Sequence, residues 1–295
     1  MKINFTCILL SLSTGISAQT IDVKDGHGKF SSGSHDAVTS VIYENKMSEV
    51  IHEWKKVMKD YKHEKVKDSD GEVFGDNILI KDWGNNPVDI YAKFDENEKE
   101  KTIKMSVAVD LGGTYLNSSD KDKHRYMEKM VKEFSVKMTK APIEEQLKDS
   151  KKAEEKLEDK LKDLEKDKKD KQDDIENYKN KIVKGEKEVI EKNAALEKKK
   201  DEVKTQKKVV DASKDAVSEQ AKSSKKILNK LEDQQNDLEK DIKDLKKDNE
   251  DYKDKIKKAE KDIKENEEDQ VKKKKEIEDQ KKLTAEIKKK LDKVD

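Results

Sequence analysis

From Leu161 onward, every seventh residue of this 295-residue chain belongs to a single set: Leu161, Lys168, Ile175, Ile182, Val189, Leu196, Val203, Val210, Val217, Ser224, Leu231, Leu238, Leu245, Tyr252, Ala259, Asn266, Lys273, Gln280, Ile287 and Val294. Fifteen of these twenty are apolar, in a region where charge dominates every other position. A sustained heptad stripe needs a second helix to cover it, because an isolated charged helix would leave the stripe in water. The region therefore reads as a coiled coil. Its many i,i+4 Lys/Glu pairs keep the helix soluble, at only a few tenths of a kcal/mol each.

A companion stripe changes phase along the tail. It lies three residues after the first stripe at Leu164 and Tyr178, but four after it at Ile242, Ile256, Ile263, Ile277 and Leu291. LKDLEKDKKDKQDDIENYKNKI (161–182) matches IKDLKKDNEDYKDKI (242–256) when one heptad is removed, so the two copies are four residues out of phase. One continuous stuttered helix in a long parallel dimer accommodates this slip. So does a chain that turns back on itself, giving each arm its own register. The Ala/Ser-rich stretch 211–225 divides the tail into arms of similar length, 143–210 and 226–295, which favours an antiparallel hairpin with its tip there. The expected seam comprises Leu161, Ile175, Ile182, Val189, Leu196, Val203, Leu231, Leu238, Ile242, Leu245, Tyr252, Ile256, Ile263, Ile277, Ile287 and Leu291. Lys168, Asn266, Lys273 and Gln280 interrupt the stripe, and polar residues at such positions specify register or partner number.

Composition agrees with a tail of this kind. Charged residues make up 46% and hydrophobic ones 31%, too little apolar material for one compact core of this length. Lys plus Arg equals Asp plus Glu at 68 each, so no net field favours nucleic acid or an anionic membrane. Residues 1–18 read as a signal peptide: Lys2, a short apolar run CILLSLSTGI, and Ile16-Ser17-Ala18 ahead of Gln19. No other apolar run reaches the roughly 18–20 residues that span a bilayer, so a soluble, exported chain (periplasmic or secreted) is expected. Cys7 is the only cysteine and lies in that signal, which leaves the processed chain without disulfides, thiolate metal ligands or a cysteine nucleophile.

Before the tail, residues 19–36 are polar and Gly/Ser-rich and read as a flexible linker. Residues 37–141 read as an α+β head domain, and Pro142 marks the boundary with the coiled-coil tail, 142–295. AVTSVIY (37–43) is a short strand. Residues 46–61 then place Met47, Val50, Ile51, Trp54, Val57, Met58 and Tyr61 on one helical face, with Asn45 as the expected cap. Strand patterns follow around Val66, at 72–81 and at 88–94. TIKMSVAVDL alternates cleanly, with Ile103, Met105, Val107, Val109 and Leu111 on one face. A second amphipathic helix carries Met127, Met130, Val131, Phe134 and Met138. The order β-α-β-β-β-β-α predicts one antiparallel sheet with both helices on a single face.

The motifs that suggest chemistry do not survive their context. VDLGGT (109–114) matches the phosphate loop of actin-like ATPases, but no second Gly-rich loop follows, and Asp-x-Gly-Gly after an alternating strand is a turn signal. His27, His35, His52, His63 and His124 do not fall at metal-ligand spacings, so no metal, cofactor or catalytic site is expected. His35-Asp36 lacks a nucleophile elbow. Trp83, between two strands, is either a recognition residue or a lid on the edge of the core.

NNPVDIYAKF (85–94), SVAVDLGGTYLNSS (106–119) and APIEEQL (141–147) resemble uncharacterised exported proteins of Bacteroidetes-like bacteria that carry a small α+β head and a Lys/Glu-rich coiled-coil tail. The resemblance covers the whole chain and implies a bacterial envelope protein; it adds no site residue. The expectation is a non-enzymatic exported protein, its head recognising a protein partner or ligand and its tail acting as spacer, adaptor or self-association element. The alternative is a periplasmic holdase-type chaperone with coiled-coil arms.

Overall fold

The computed structural model describes residues 20–213 and 219–295. The expected signal peptide and its cleavage site lie outside the described residues. The chain divides into two units; the first runs to Glu154 and takes in Asp279–Asp295, and the second is Glu155–Glu278.

In the first unit, six antiparallel strands form one sheet: β1 (Lys24–Phe30), β2 (Gly33–Tyr43), β3 (Lys65–Ser69), β4 (Glu72–Ile78), β5 (Val88–Asn97) and β6 (Thr102–Asp110), in the order β1-β2-β6-β5-β4-β3. Helix α1 (Met47–Asp60) and the start of α2 (Lys121–Ala212) bury their apolar faces against the same side of it. Trp54 of α1 meets Phe134 of α2 edge-on, with centroids 4.8 Å apart. Ile103, Met105, Val107 and Val109 of β6 are buried beneath them, as strict alternation requires. The α+β head followed by long helices is thus as the patterning implies.

The expected flexible linker at 19–36 is instead β1 and the start of β2, paired from Lys24↔Thr39 to Phe30↔Gly33. Its polarity misleads because β1 is an edge strand, and because glycine allows its hairpin to curl over the outer face of the sheet. A Cβ on Gly28 would stand 2.6 Å from the Phe30 ring, so only glycine lets that ring lie across the strand. Phe30, Ala37 and Ala108 then form a second small core with Tyr91 and Tyr115. At its far end Glu72 accepts hydrogen bonds from the Ser31 backbone N–H (2.8 Å) and hydroxyl (2.6 Å), 41 residues away.

Pro142 is not a boundary either, since α2 runs through it. A proline inside a helix has no N–H for the carbonyl four residues earlier and crowds it. Here that carbonyl belongs to Met138, and the Asn45 side-chain amide donates to it at 2.5 Å. Asn45 therefore does not cap α1 as expected. Its Oδ1 accepts from the Lys46 N–H at 2.7 Å, and Lys46 occupies the N-cap without a side-chain hydrogen bond. Thr139 Oγ1 accepts from the Tyr43 N–H beside it, so the β2–α1 junction holds this part of α2 together.

The last turns of α3 (Glu219–Leu291) belong to this unit too. Ile287 and Val294 are buried with Ile21 and Ile143, and the Ile21 N–H donates to the Asp295 carbonyl at 3.1 Å.

In the second unit, α2 and α3 pack together as antiparallel partners. As α2 advances from Lys168 to Lys192 to Lys207, its ion-pair partner on α3 recedes from Glu267 to Asp241 to Glu232. The stripe of each helix is covered by the other, and the chain is a hairpin, not one strand of a parallel dimer. Of the expected tip at 211–225, Ala212 ends α2 and Glu219 begins α3, while residues 214–218 lie outside the described residues.

Candidate functional site

Two features of the head bring reactive side chains together. β1 alternation puts Asp25 and His27 on the inner face, opposite Val38 and Asp36 of β2. The first turns of α2 lie alongside and place His124 and Glu128 at i,i+4, on one side of the helix. His124 Nε2 stands 2.7 Å from Asp25 Oδ1, and its Nδ1 stands 3.7 Å from Glu128 Oε1. His27 Nδ1 is 2.9 Å from Asp36 Oδ1. Asp25, His27, Asp36 and His124 line one cavity of about 270 Å³, closed by Val107, Val109, Leu116 and Met127. His124 is only 8% exposed, while the side chains of Asp25 and Glu128 are 60% and 42% exposed, so the imidazole is buried between two more accessible carboxylates, of which Asp25 lines the cavity and Glu128 lies beside it.

The second feature is a groove of about 670 Å³ on the opposite face, between the β1–β2 turn and the β3–β4 edge. Phe74 and Tyr91 form its base, tilted at 31° with centroids 4.7 Å apart, and Lys29, Lys67 and Lys93 alternate around it with Asp68, Asp70 and Glu72. Burial pushes the Tyr91 hydroxyl above its ordinary pKa.

Sequence had pointed to neither. Only His124–Glu128 left a local trace, as an i,i+4 pair; Asp25 is about a hundred residues away and joins through sheet pairing. Asp110 Oδ1 accepts from the N–H groups of Gly112 and Gly113 at 2.9 and 2.6 Å, both glycines having positive φ, so the VDLGGT carboxylate closes its own turn. Trp83 packs against the core in a single 3₁₀ turn (Lys81–Trp83), edge-on to Tyr126 with centroids 5.6 Å apart. His35, near the start of β2, has its Nε2 3.1 Å from Ser32 Oγ of the preceding turn and its ring stacked on Tyr115 at 3.5 Å. The neighbouring Asp36 is paired with His27 and does not orient His35.

No protein-family model matches the chain, and comparison with curated proteins finds no relative.

Of the expected seam, Leu196, Val203, Ile242, Ile277 and Ile287 are buried. Leu161, Ile175, Ile182, Val189, Leu231, Leu238, Leu245, Tyr252, Ile256, Ile263 and Leu291 are half-buried. Partial burial is what two helices provide, since each knob is covered by one neighbour only. The polar interruptions are partnered. Lys168 meets Glu267 at 2.7 Å. Asn266 donates to the Leu164 carbonyl and to Asp167 Oδ2, both at 3.1 Å, and accepts from buried Gln270 at 2.8 Å. Lys273 pairs with Glu276 on its own helix, and Gln280 donates to the Ser150 hydroxyl at 2.7 Å. Gly185 faces buried Asn249, whose Oδ1 would stand 2.3 Å from a Cβ at that position. Val217 lies outside the described residues.

Proposed function

We propose that this protein is a non-enzymatic exported envelope protein whose head recognises a partner and whose two-helix arm serves as a spacer or adaptor. The observation that carries the reading is that the heptad stripe is consumed within the chain. α2 and α3 bury each other's apolar positions, and Ile21, Ile143, Ile287 and Val294 close one cluster. A stripe satisfied internally has no need of a second copy, which favours spacer over oligomeriser. It also leaves few large apolar side chains in water on the arms (Val183, Ile190, Val209, Ile227 and Val271 among the described residues), a poor surface for gripping unfolded clients. The groove on the outer face, with an aromatic base and a rim of both charges, is the concave surface of the head best suited to recognition.

Export rests on the charge and apolar pattern of residues 1–18. Among the described residues no helix is long and apolar enough to cross a membrane.

The test is photo-crosslinking in the native cell. Crosslinkers placed at Lys67 beside the groove and at exposed Val183 and Ile190 on α2 are expected to capture defined envelope proteins, from a chain whose N-terminus has been cleaved. A chain retained unprocessed in the cytoplasm, or crosslinked to nothing from either region, would overturn the proposal.

A further inference from the structure

We propose that Asp25, His124 and Glu128 bind a divalent cation of the zinc class beside the inner-face cavity. Each residue offers one ligand atom, and the three atoms lie within 4.8 Å of one another. A zinc ion bonded at about 2.0–2.2 Å holds adjacent tetrahedral ligands roughly 3.3 Å apart. Asp25 Oδ1 and His124 Nε2 at 2.7 Å therefore need to separate by only about half an ångström, the ion taking the place of the proton between them. Asp25 has the freedom to do so because its side chain is mostly exposed. Glu128 stands 3.7 Å from the other ring nitrogen, Nδ1, beyond hydrogen-bond distance, so its half-exposed side chain has to swing round the imidazole to reach an ion on Nε2, a short movement for three ligand atoms already within 4.8 Å of one another.

Charge favours the same occupant. No lysine or arginine lines the cavity, and Asp25, Asp36 and Glu128 outnumber the imidazoles of His27 and His124. A cation offsets that excess. The donor set is one imidazole nitrogen with carboxylate oxygens and no thiolate. This selects zinc, or manganese more weakly, over calcium and magnesium, which prefer oxygen alone. Three protein ligands leave at least one coordination position open, and water can reach it past the exposed side chains of Asp25 and Glu128. His27 stands two residues from Asp25 on the same face of β1, about 7 Å along the strand. Its pair with Asp36 thus lies within reach of a water carried by the ion rather than of the ion itself.

The ligands come from two separate elements, the edge strand β1 and the first turns of α2. An ion at this point ties the outermost strand of the sheet to the helix, which gives the site a thermal readout as well as a binding one.

The experiment uses the full processed chain without a histidine tag, stripped with chelator and then titrated with Zn²⁺. Native mass spectrometry and calorimetry are expected to find one tight zinc per chain, accompanied by a rise in Tm read from tryptophan fluorescence. Asp25→Asn and His124→Gln are expected to weaken that binding by at least about tenfold and to abolish the Tm rise. His63→Gln, which removes a histidine hydrogen-bonded to the Tyr61 carbonyl and remote from the cavity, is expected to leave both unchanged. Because Asp25 is largely exposed, Asp25→Asn keeps the fold and the test stands even where His124→Gln loosens it. Absence of stoichiometric zinc, or zinc binding that survives Asp25→Asn and His124→Gln, would overturn the proposal.

Discussion

Replacing Asn45 by alanine is expected to destabilise the head by about 1–2 kcal/mol, and almost wholly because of a proline 97 positions away. The Met138 carbonyl has no helical donor because residue 142 is proline, and the Asn45 amide supplies one at 2.5 Å. Met138 is buried, so in Asn45→Ala water reaches this carbonyl poorly; an orphaned buried acceptor costs about 1–3 kcal/mol. Asn45 is itself only half-buried, which places the expectation in the lower half of that range. In a Pro142→Ala background the helix regains its own N–H, and Asn45→Ala is then expected to cost a few tenths of a kcal/mol. The coupling between the two positions is therefore about 1 kcal/mol. Urea unfolding followed by tryptophan fluorescence measures it cleanly, since Trp54 and Trp83, the only two tryptophans, both pack in the core of the first unit. Equal costs of Asn45→Ala in the two backgrounds would refute the reasoning, and so would no cost in either.

Gly185→Ala is expected to lower the melting temperature of the helical signal in circular dichroism, although alanine is normally better than glycine in a helix by about 1 kcal/mol. The new Cβ collides with Asn249; adding Asn249→Ala is expected to restore stability at least to the parent level, and a stabilised single variant would sink the packing argument. Asn266→Leu is expected to cost about 1–3 kcal/mol by leaving buried Gln270 without its acceptor. The double change with Gln270→Leu recovers most of that loss in the same assay, and failure to recover would show that the pair does not act as a unit. Burial, followed by the hydrogen bond to the Tyr126 hydroxyl, pushes the Tyr61 hydroxyl well above its ordinary pKa. A pKa raised on folding contributes stability below the unfolded value of about 10 that is lost as pH rises past it. The urea midpoint of the head is thus expected to fall above that pH, and to fall less in Tyr61→Phe; identical slopes would exclude Tyr61 as the cause.

The parts of the fold that were legible in sequence are those whose signal is local. β6 alternates without error and α1 shows a complete apolar face, so both were readable from a dozen residues. The hairpin was readable from the phase slip between two internal copies and from arms of similar length. What escaped depends on distant partners. β1 is polar and Gly-containing, and it becomes a strand through pairing with β2 and through the space Gly28 leaves for Phe30. Pro142 obeys the local rule that it breaks a helix until Asn45 supplies the missing donor. The inner-face cluster shows the same division. His124 and Glu128 share a helix face in plain view of the sequence, whereas Asp25 reaches them only once the edge strand is in place.

The tail folds back within its own chain, α3 running antiparallel to α2. The most direct test is pulsed electron resonance between spin labels at Lys192 and Asp241, an exposed pair joined across the seam at 2.7 Å. The hairpin predicts labels side by side and a signal unchanged by excess unlabelled chain. A parallel coil predicts labels roughly 70 Å apart along the axis, from the rise of 1.5 Å per helical residue. That long separation, or a short one that vanishes on dilution with unlabelled protein, would contradict the hairpin.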